Sequence, residues 1–464
     1  MPDAMSRHAS PQPNVPGRGI IAGYPLRFWA LVVGIGVGTG LGGALLTLIL
    51  RAAERTSWSY QAGTLLDGAM RAGAGRHILV LLLAGIVAGI GGLLIKRVRG
   101  SGAGEISEAL WLGGGHLTFW KSTARGLLSI VIVGMGVSLG REGAPQLTGA
   151  ALASSLSERV KLPVWQRRLL VACGAGAGMA AVYNVPLGGA LFALEVLLGT
   201  LALPLVLPAL ATSLIATGVA WIAVPDRPTY HVAVYGVSAS QIVWAALIGP
   251  LAGVLAVGWV RTIARVNTLK PRRWGRVVAP IVIFTALGAV SIAYPQLLGN
   301  GKDVVQLAVT NHLAIVLLAV LLVLKPVATV ACLGSGAPGG LFTPTLTIGV
   351  LFGAVLGHGW AALWPGAPLG SCAIIGGAAV LAASMQGPLA AVVLVLELTR
   401  ASDGLMVPIL LAVTMATVVA RRLGAPSIYS ARINSDDAGP SDSIETLADL
   451  VPAVDIDELP RELI

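Results

Sequence analysis

Apolar runs of unequal length dominate this chain: 28–50, 78–95, 126–139, 169–183, 187–224, 243–260, 277–293, 314–334, 345–363, 372–398 and 405–420. A helix needs about 20 apolar residues to cross a bilayer. Some of these runs are too long for one crossing and others too short for a straight one. The mixture implies an integral membrane protein whose helices are tilted, broken and packed around one another, as in transporters. Composition agrees. Only 11% of the 464 residues are charged and mean hydropathy is +0.83, whereas soluble domains carry about 25% charged residues. The 60 glycines suit close helix packing through small residues.

Charge sits at the ends of the runs. Lys96-Arg97-Val98-Arg99 and the stretch Lys270 to Arg276 are basic loops, which mark the cytoplasmic side of a membrane protein. They form no continuous basic face, so nucleic acid is excluded as a partner. Residues 1–26 read as a cytosolic tail without the apolar core of a signal peptide. Residues 433–464 read as an acidic cytosolic tail, with nine acids against Arg461. Both termini are thus expected in the cytoplasm. The three cysteines and six histidines show no disulfide or metal spacing, so neither a metal nor a cofactor is expected.

The chain repeats itself. Gly100-Ser101-Gly102 recurs as Gly299-Asn300-Gly301. The pattern from Gly140 to Pro145-x-Leu147-Thr148 recurs from Gly339 to Pro344-x-Leu346-Thr347. The spacing from Pro186-Leu187 to Glu195 recurs from Pro388-Leu389 to Glu397. Three matches in one order divide the membrane region, 27–432, into repeats at 27–224 and 237–432. The basic loop lies directly before the first glycine motif but one run before the second. This predicts an all-α membrane protein of two inverted repeats, with its site near the midplane.

The polar residues inside the repeat motifs mark that site. An anion crossing the membrane needs donors short of a full positive charge, since a buried Lys or Arg would hold it too tightly. Backbone N–H groups at helix N-termini and hydroxyls meet that need. Gly140-Arg141-Glu142-Gly143-Ala144-Pro145 reads as a loop feeding a helix start, with a carboxylate laid across an anion site. The bland alternative is an Arg141–Glu142 ion pair at the interface. Gly100-Ser101-Gly102 offers a hydroxyl or, more plainly, an N-cap. Gly339-Gly340-Leu341-Phe342 enters another helix, with the amides of Leu341 and Phe342 at its N-terminal end. Tyr429 lies just past the last apolar run, where an interfacial tyrosine is the competing reading. Lys325, within an apolar run, is expected to snorkel or to pair with its own helix.

In this order, GSG-x-x-E at 100–105, GREG-x-P at 140–145, G-x-F-x-P at 340–344 and the late tyrosine resemble the CLC family of chloride channels and chloride/proton antiporters. The resemblance, to the bacterial type without cytosolic CBS domains, covers 27–432. It implies that Ser101, Tyr429 and the amides of Leu341 and Phe342 coordinate chloride. It makes Glu142 a gate that occupies an anion site when ionised and leaves when protonated. Gly100, Gly102, Gly140, Arg141, Gly143 and Gly340 would support the filter. It also implies a homodimer in the cell membrane, joined through 187–222 and 386–422. Val196 stands where many antiporters of the family carry a proton-relaying glutamate, next to Glu195. A valine carries no proton, so a channel-like chloride path with weak or no proton coupling is expected, and a chloride/proton antiporter is the alternative. An intramembrane enzyme using Glu142 and histidines fails, because no histidine lies in a shared motif.

Overall fold

A computed structural model describes residues 24–97, 106–401 and 404–433. Gly100, Ser101 and Gly102, most of both tails and the acidic segment from Asn434 onward lie outside the described residues. The first half forms α1 (Leu26–Trp58), α2 (Leu65–Arg71), α3 (Ala74–Arg97), α4 (Ile106–Trp111), α5 (Phe119–Gly134), α6 (Gly143–Arg159), α7 (Val164–Tyr183), α8 (Pro186–Leu191, continuing as a π-helical stretch Phe192–Leu198) and α9 (Leu203–Ala220). The second forms α10 (Ala239–Thr268), α11 (Gly275–Ser291), α12 (Lys302–Val309), α13 (Ile315–Gly334), α14 (Phe342–Leu363), α15 (Leu369–Met385), α16 (Pro388–Thr399) and α17 (Met406–Arg422). Six of these helices are long and apolar enough to cross a membrane. Leucines and valines along α1, α3, α10 and α13 are exposed, as suits surfaces that meet lipid.

Packing repeats along with sequence. In the first half α6 packs on α7, α7 on α9, and α1 on α9; in the second α14 packs on α15, α15 on α17, and α10 on α17. The halves meet where α3 packs on α11 and α8 on α16. At the centre of each half is a helix of small residues, α7 or α15, buried along almost its whole length. Small residues let backbones approach where no hydrophobic effect drives helices together in lipid. A Cβ on Gly149 would come 2.2 Å from the Gly174 carbonyl oxygen, so α6 could not approach α7 this closely with any larger residue at Gly149.

The run 372–398 is broken, and the runs 169–183 and 187–224 are separated, by the same device. Asn184 ends α7 in the left-handed region at φ 59°, and Pro186 opens α8. Gln386 ends α15 at φ 58°, and Pro388 opens α16. A left-handed residue terminates a helix, and a proline suits the first turn of the next, where its missing N–H costs nothing.

The repeats lock together reciprocally. The Glu195 carboxylate accepts the N–H groups of Leu389 (3.1 Å) and Ala390 (2.5 Å). Glu397 accepts those of Leu187 (3.1 Å) and Gly188 (2.7 Å). Each helix start is capped by the acid near the end of its counterpart, so the all-α fold is one of two inverted repeats meeting about a two-fold relation. Lys325 corrects the expectation of snorkelling. It is fully buried, and its ammonium donates to the carbonyls of Leu297 (2.8 Å) and Gly299 (2.9 Å). The loop before α12 turns its carbonyls inward and gives the cation closer partners than any route to water.

Candidate functional site

The site forms where the two glycine-rich helix entries cross. Gly140, before α6, and Gly340, before α14, make an isolated antiparallel bridge. The Gly140 N–H donates to the Gly340 carbonyl at 2.8 Å, and the Gly340 N–H returns the bond at 2.9 Å. Each helix N-terminus therefore points its unpaired N–H groups and positive dipole end toward the other.

Glu142 stands at the N-cap position of α6 but does not cap its own helix. It reaches across to α14, where Oε1 accepts the Phe342 N–H at 2.7 Å. Oε2 accepts from the Thr343 hydroxyl at 3.0 Å and from the Tyr183 hydroxyl at 3.1 Å. The two hydroxyls are 2.6 Å apart. The side chain is only 1% exposed, so these donors replace water. The glycines are needed here because the carboxylate lies between them. A Cβ on Gly140 would sit 2.0 Å from Oε1, and one on Gly340 2.2 Å from it.

Arg141 forms no pair with Glu142. Its guanidinium carbon lies 4.7 Å from the centre of the Tyr183 ring, a cation–π contact, and its Nε has no hydrogen-bond partner. The interfacial ion pair weighed on the sequence is therefore replaced by an arginine on an aromatic face and a carboxylate turned into the protein.

On the other side of Glu142 lies a cavity of about 60 Å³, walled in part by Ser129, Gly143, Gln146, Leu341 and Tyr429. It has room for a small anion or a few waters. A wider cavity of about 470 Å³ follows, walled in part by Trp111, Glu195, Val196, Gln386 and Arg421. Ser107 and Tyr429 belong to both walls and stand between the two spaces. Tyr429 is half-buried, edge-on to Phe192 at 5.2 Å between ring centres. It lines the path rather than an outer belt.

Glu142, Gly140, Gly143, Gly340, Leu341, Phe342 and Tyr429, expected on sequence to share one site, come together here. Val196 faces the wide cavity, and its neighbour Glu195 is held by the first turn of α16. Sequence reasoning missed Tyr183, Thr343, Ser107 and Gln146. Thr343 follows Phe342 inside a motif already singled out. Tyr183 ends the small and apolar stretch 169–183 of α7, directly before the Asn184–Pro186 break; a hydroxyl at such a break was the available signal.

A family model described as voltage gated chloride channel matches residues 80–421. A ClcB-like protein of Ralstonia nicotianae is 34% identical over 86% of this chain and 96% of its own length. The voltage-gated ClC-type chloride channel ClcB of Citrobacter koseri is 32% identical over 79% of this chain and 89% of its own. Among solved structures, a slow cyanobacterial Cl⁻/H⁺ antiporter superposes with a TM-score of 0.77 at 22% identity, covering 88% of this chain and 97% of that one. A CLC-type fluoride/proton antiporter gives 0.71 at 20% identity, covering 88% and 98%.

Proposed function

The chain belongs to the CLC family of voltage-gated chloride channels, and we propose that it carries chloride along the line from Tyr429 to Phe342, with Glu142 as the gate. The family transports anions across membranes, and that much holds for this chain. One observation carries the finer reading. The Glu142 carboxylate sits on the Phe342 amide, at the positive end of α14 and at the head of the small cavity. An ionised carboxylate accepts the same hydrogen bonds as chloride, so the two compete for one place. Protonation cancels the charge that holds the carboxylate there and lets an anion take its position. Ser101, with Gly100 and Gly102, outside the described residues, would add a hydroxyl donor. Arg141, bound to an aromatic face and not to the ion's path, biases the field toward anions without trapping them.

The mode is channel-like. Val196 cannot titrate, and Glu195 is committed to two backbone N–H groups. The ClcB relatives carry channel names, whereas the antiporters share the fold alone. One observation supports the chloride/proton antiporter as second reading: Glu195 borders the wide cavity, so a carboxylate does face water there. The basic loops at 96–99 and 270–276 support an orientation in which the Tyr429 side faces the cytoplasm of a cell membrane. Exposed apolar residues of α9 and α17, among them Leu203, Leu214, Val407 and Leu410, support a homodimer joined through these helices.

The test is flux from liposomes with chloride and proton recorded together. The wild type should release chloride faster in acid and move no protons uphill on an imposed chloride gradient. Glu142→Gln should keep substantial flux and lose its acid dependence. Proton pumping at a constant ratio to chloride would establish the antiporter instead.

A further inference from the structure

Resting on Glu142 as the gate, we propose that Tyr183 and Thr343 are positioning residues: a paired hydroxyl clamp that holds the carboxylate closed and sets the acidity at which chloride flux turns on. The geometry is a triangle of oxygens. Glu142 Oε2, the Tyr183 hydroxyl and the Thr343 hydroxyl stand 3.1, 3.0 and 2.6 Å from one another. Two hydroxyl hydrogens serve these three contacts. While the carboxylate is ionised it accepts only. Tyr183 and Thr343 then both donate to it, or one of them donates to the other, which donates to the carboxylate. In each arrangement one hydroxyl can take over from the other, so the clamp is redundant.

The clamp is built into rigid surroundings. Tyr183 ends α7 and is held under Arg141 and beside Phe342, with 5.8 Å between ring centres. Thr343 lies in the first turn of α14 and is fully buried. Neither hydroxyl can follow the carboxylate if it swings away. Their bonds to Oε2 are therefore lost on opening and favour the closed, ionised state. The Phe342 amide differs in kind, since an arriving anion takes it over at once. The other charged and titratable groups facing Glu142 are Arg141, Tyr230 and Tyr429, with Arg125 and Arg432 across the small cavity. Removing the Tyr183 hydroxyl also takes a hydrogen-bond partner from Arg141, whereas removing the Thr343 hydroxyl leaves all of these groups as they are.

The experiment is the acid-activation curve of chloride flux in liposomes, each variant normalised to its own acid maximum. Tyr183→Phe keeps the ring under Arg141, and Thr343→Val keeps the branched shape. Because either hydroxyl can replace the other, each single variant should move the midpoint to higher pH by less than about half a unit. The double variant should move it by about one to two units, more than the two singles combined. Thr343→Ser with Tyr183→Phe restores one hydroxyl and should return the midpoint toward the wild type. This also serves if the double variant folds poorly. In the Glu142→Gln background none of these changes should create a pH response. A double variant with the wild-type midpoint overturns the clamp and leaves the gate standing. Acid activation that survives Glu142→Gln overturns the gate, and the clamp with it.

Discussion

Glu142, buried, and Glu195, half-buried beside the wide cavity, both accept backbone N–H groups from the first turn of a helix in the opposite repeat, and only one is built to move. Glu195 spreads its two oxygens over adjacent amides of α16, and Glu397 returns the arrangement on α8. Glu142 takes a single amide of α14, leans on two hydroxyls, and has an open cavity of about 60 Å³ beside it. No acid answers it in the second repeat, where Leu341 stands at the equivalent position. A carboxylate on a helix N-terminus is thus a cap when both oxygens are engaged and its counterpart closes the pair. It becomes a gate when space lies next to it and the donors it leaves behind can serve another anion.

The comparison breaks most visibly in stability. Glu397→Ala leaves the amides of Leu187 and Gly188 without their acceptor, at about 1–3 kcal/mol for the buried Gly188 group. Thermal unfolding in detergent should drop sharply, and Glu195→Ala should match it. Glu397→Gln, which keeps one acceptor oxygen, should recover part of the loss, while Glu142→Gln should leave the transition close to the wild type. An unfolding temperature lowered equally by Glu142→Gln and Glu397→Gln would erase the distinction between gate and cap.

A smaller effect is expected at Gly340. Alanine there brings a methyl group to 2.2 Å from Oε1 and to 2.9 Å from the Gly143 nitrogen. The carboxylate has to leave its seat, so flux at neutral pH should rise toward the acid level and the activation curve should flatten. A curve as steep as the wild type's would mean that Glu142 closes the path from some other position.

The smallest effect is at Asp226, a surface acid joined to Asn184 at the end of α7 and to Arg400 after α16. The Asn184 amide first, and then Arg400, hold its carboxyl below the usual range, which for aspartate is about 3.9. Its contribution is therefore complete above that unfolded value and is lost only as pH falls through the lower folded value. It stays ionised through the range in which a gate would titrate. Asp226→Asn should accordingly shift the flux midpoint by less than about 0.2 units, although its partner Asn184 directly follows Tyr183. A shift as large as the hydroxyl double variant's would move the pH sensor from Glu142 to the surface.

Local chemistry made part of this protein legible in its residues. Apolar runs demand a membrane, the recurring Pro-to-Glu spacing demands a repeat, and glycines around a buried acid at a helix start demand a close approach by backbone or ligand. Those demands are met within a few residues of sequence. The partners of Glu142 are not local. Phe342 and Thr343 lie about 200 residues away, Tyr183 about 40, and only the crossing of α6 with α14 beside the end of α7 brings them together. The same holds for Lys325, read as a snorkelling side chain and found on two carbonyls of a distant loop, and for Arg141, read beside Glu142 and found on Tyr183. A buried polar group takes whichever partner the packing brings within reach, because leaving it unpaired costs more than any preference for a neighbour in sequence. Which acid became a cap and which was left room to move was decided by that packing alone.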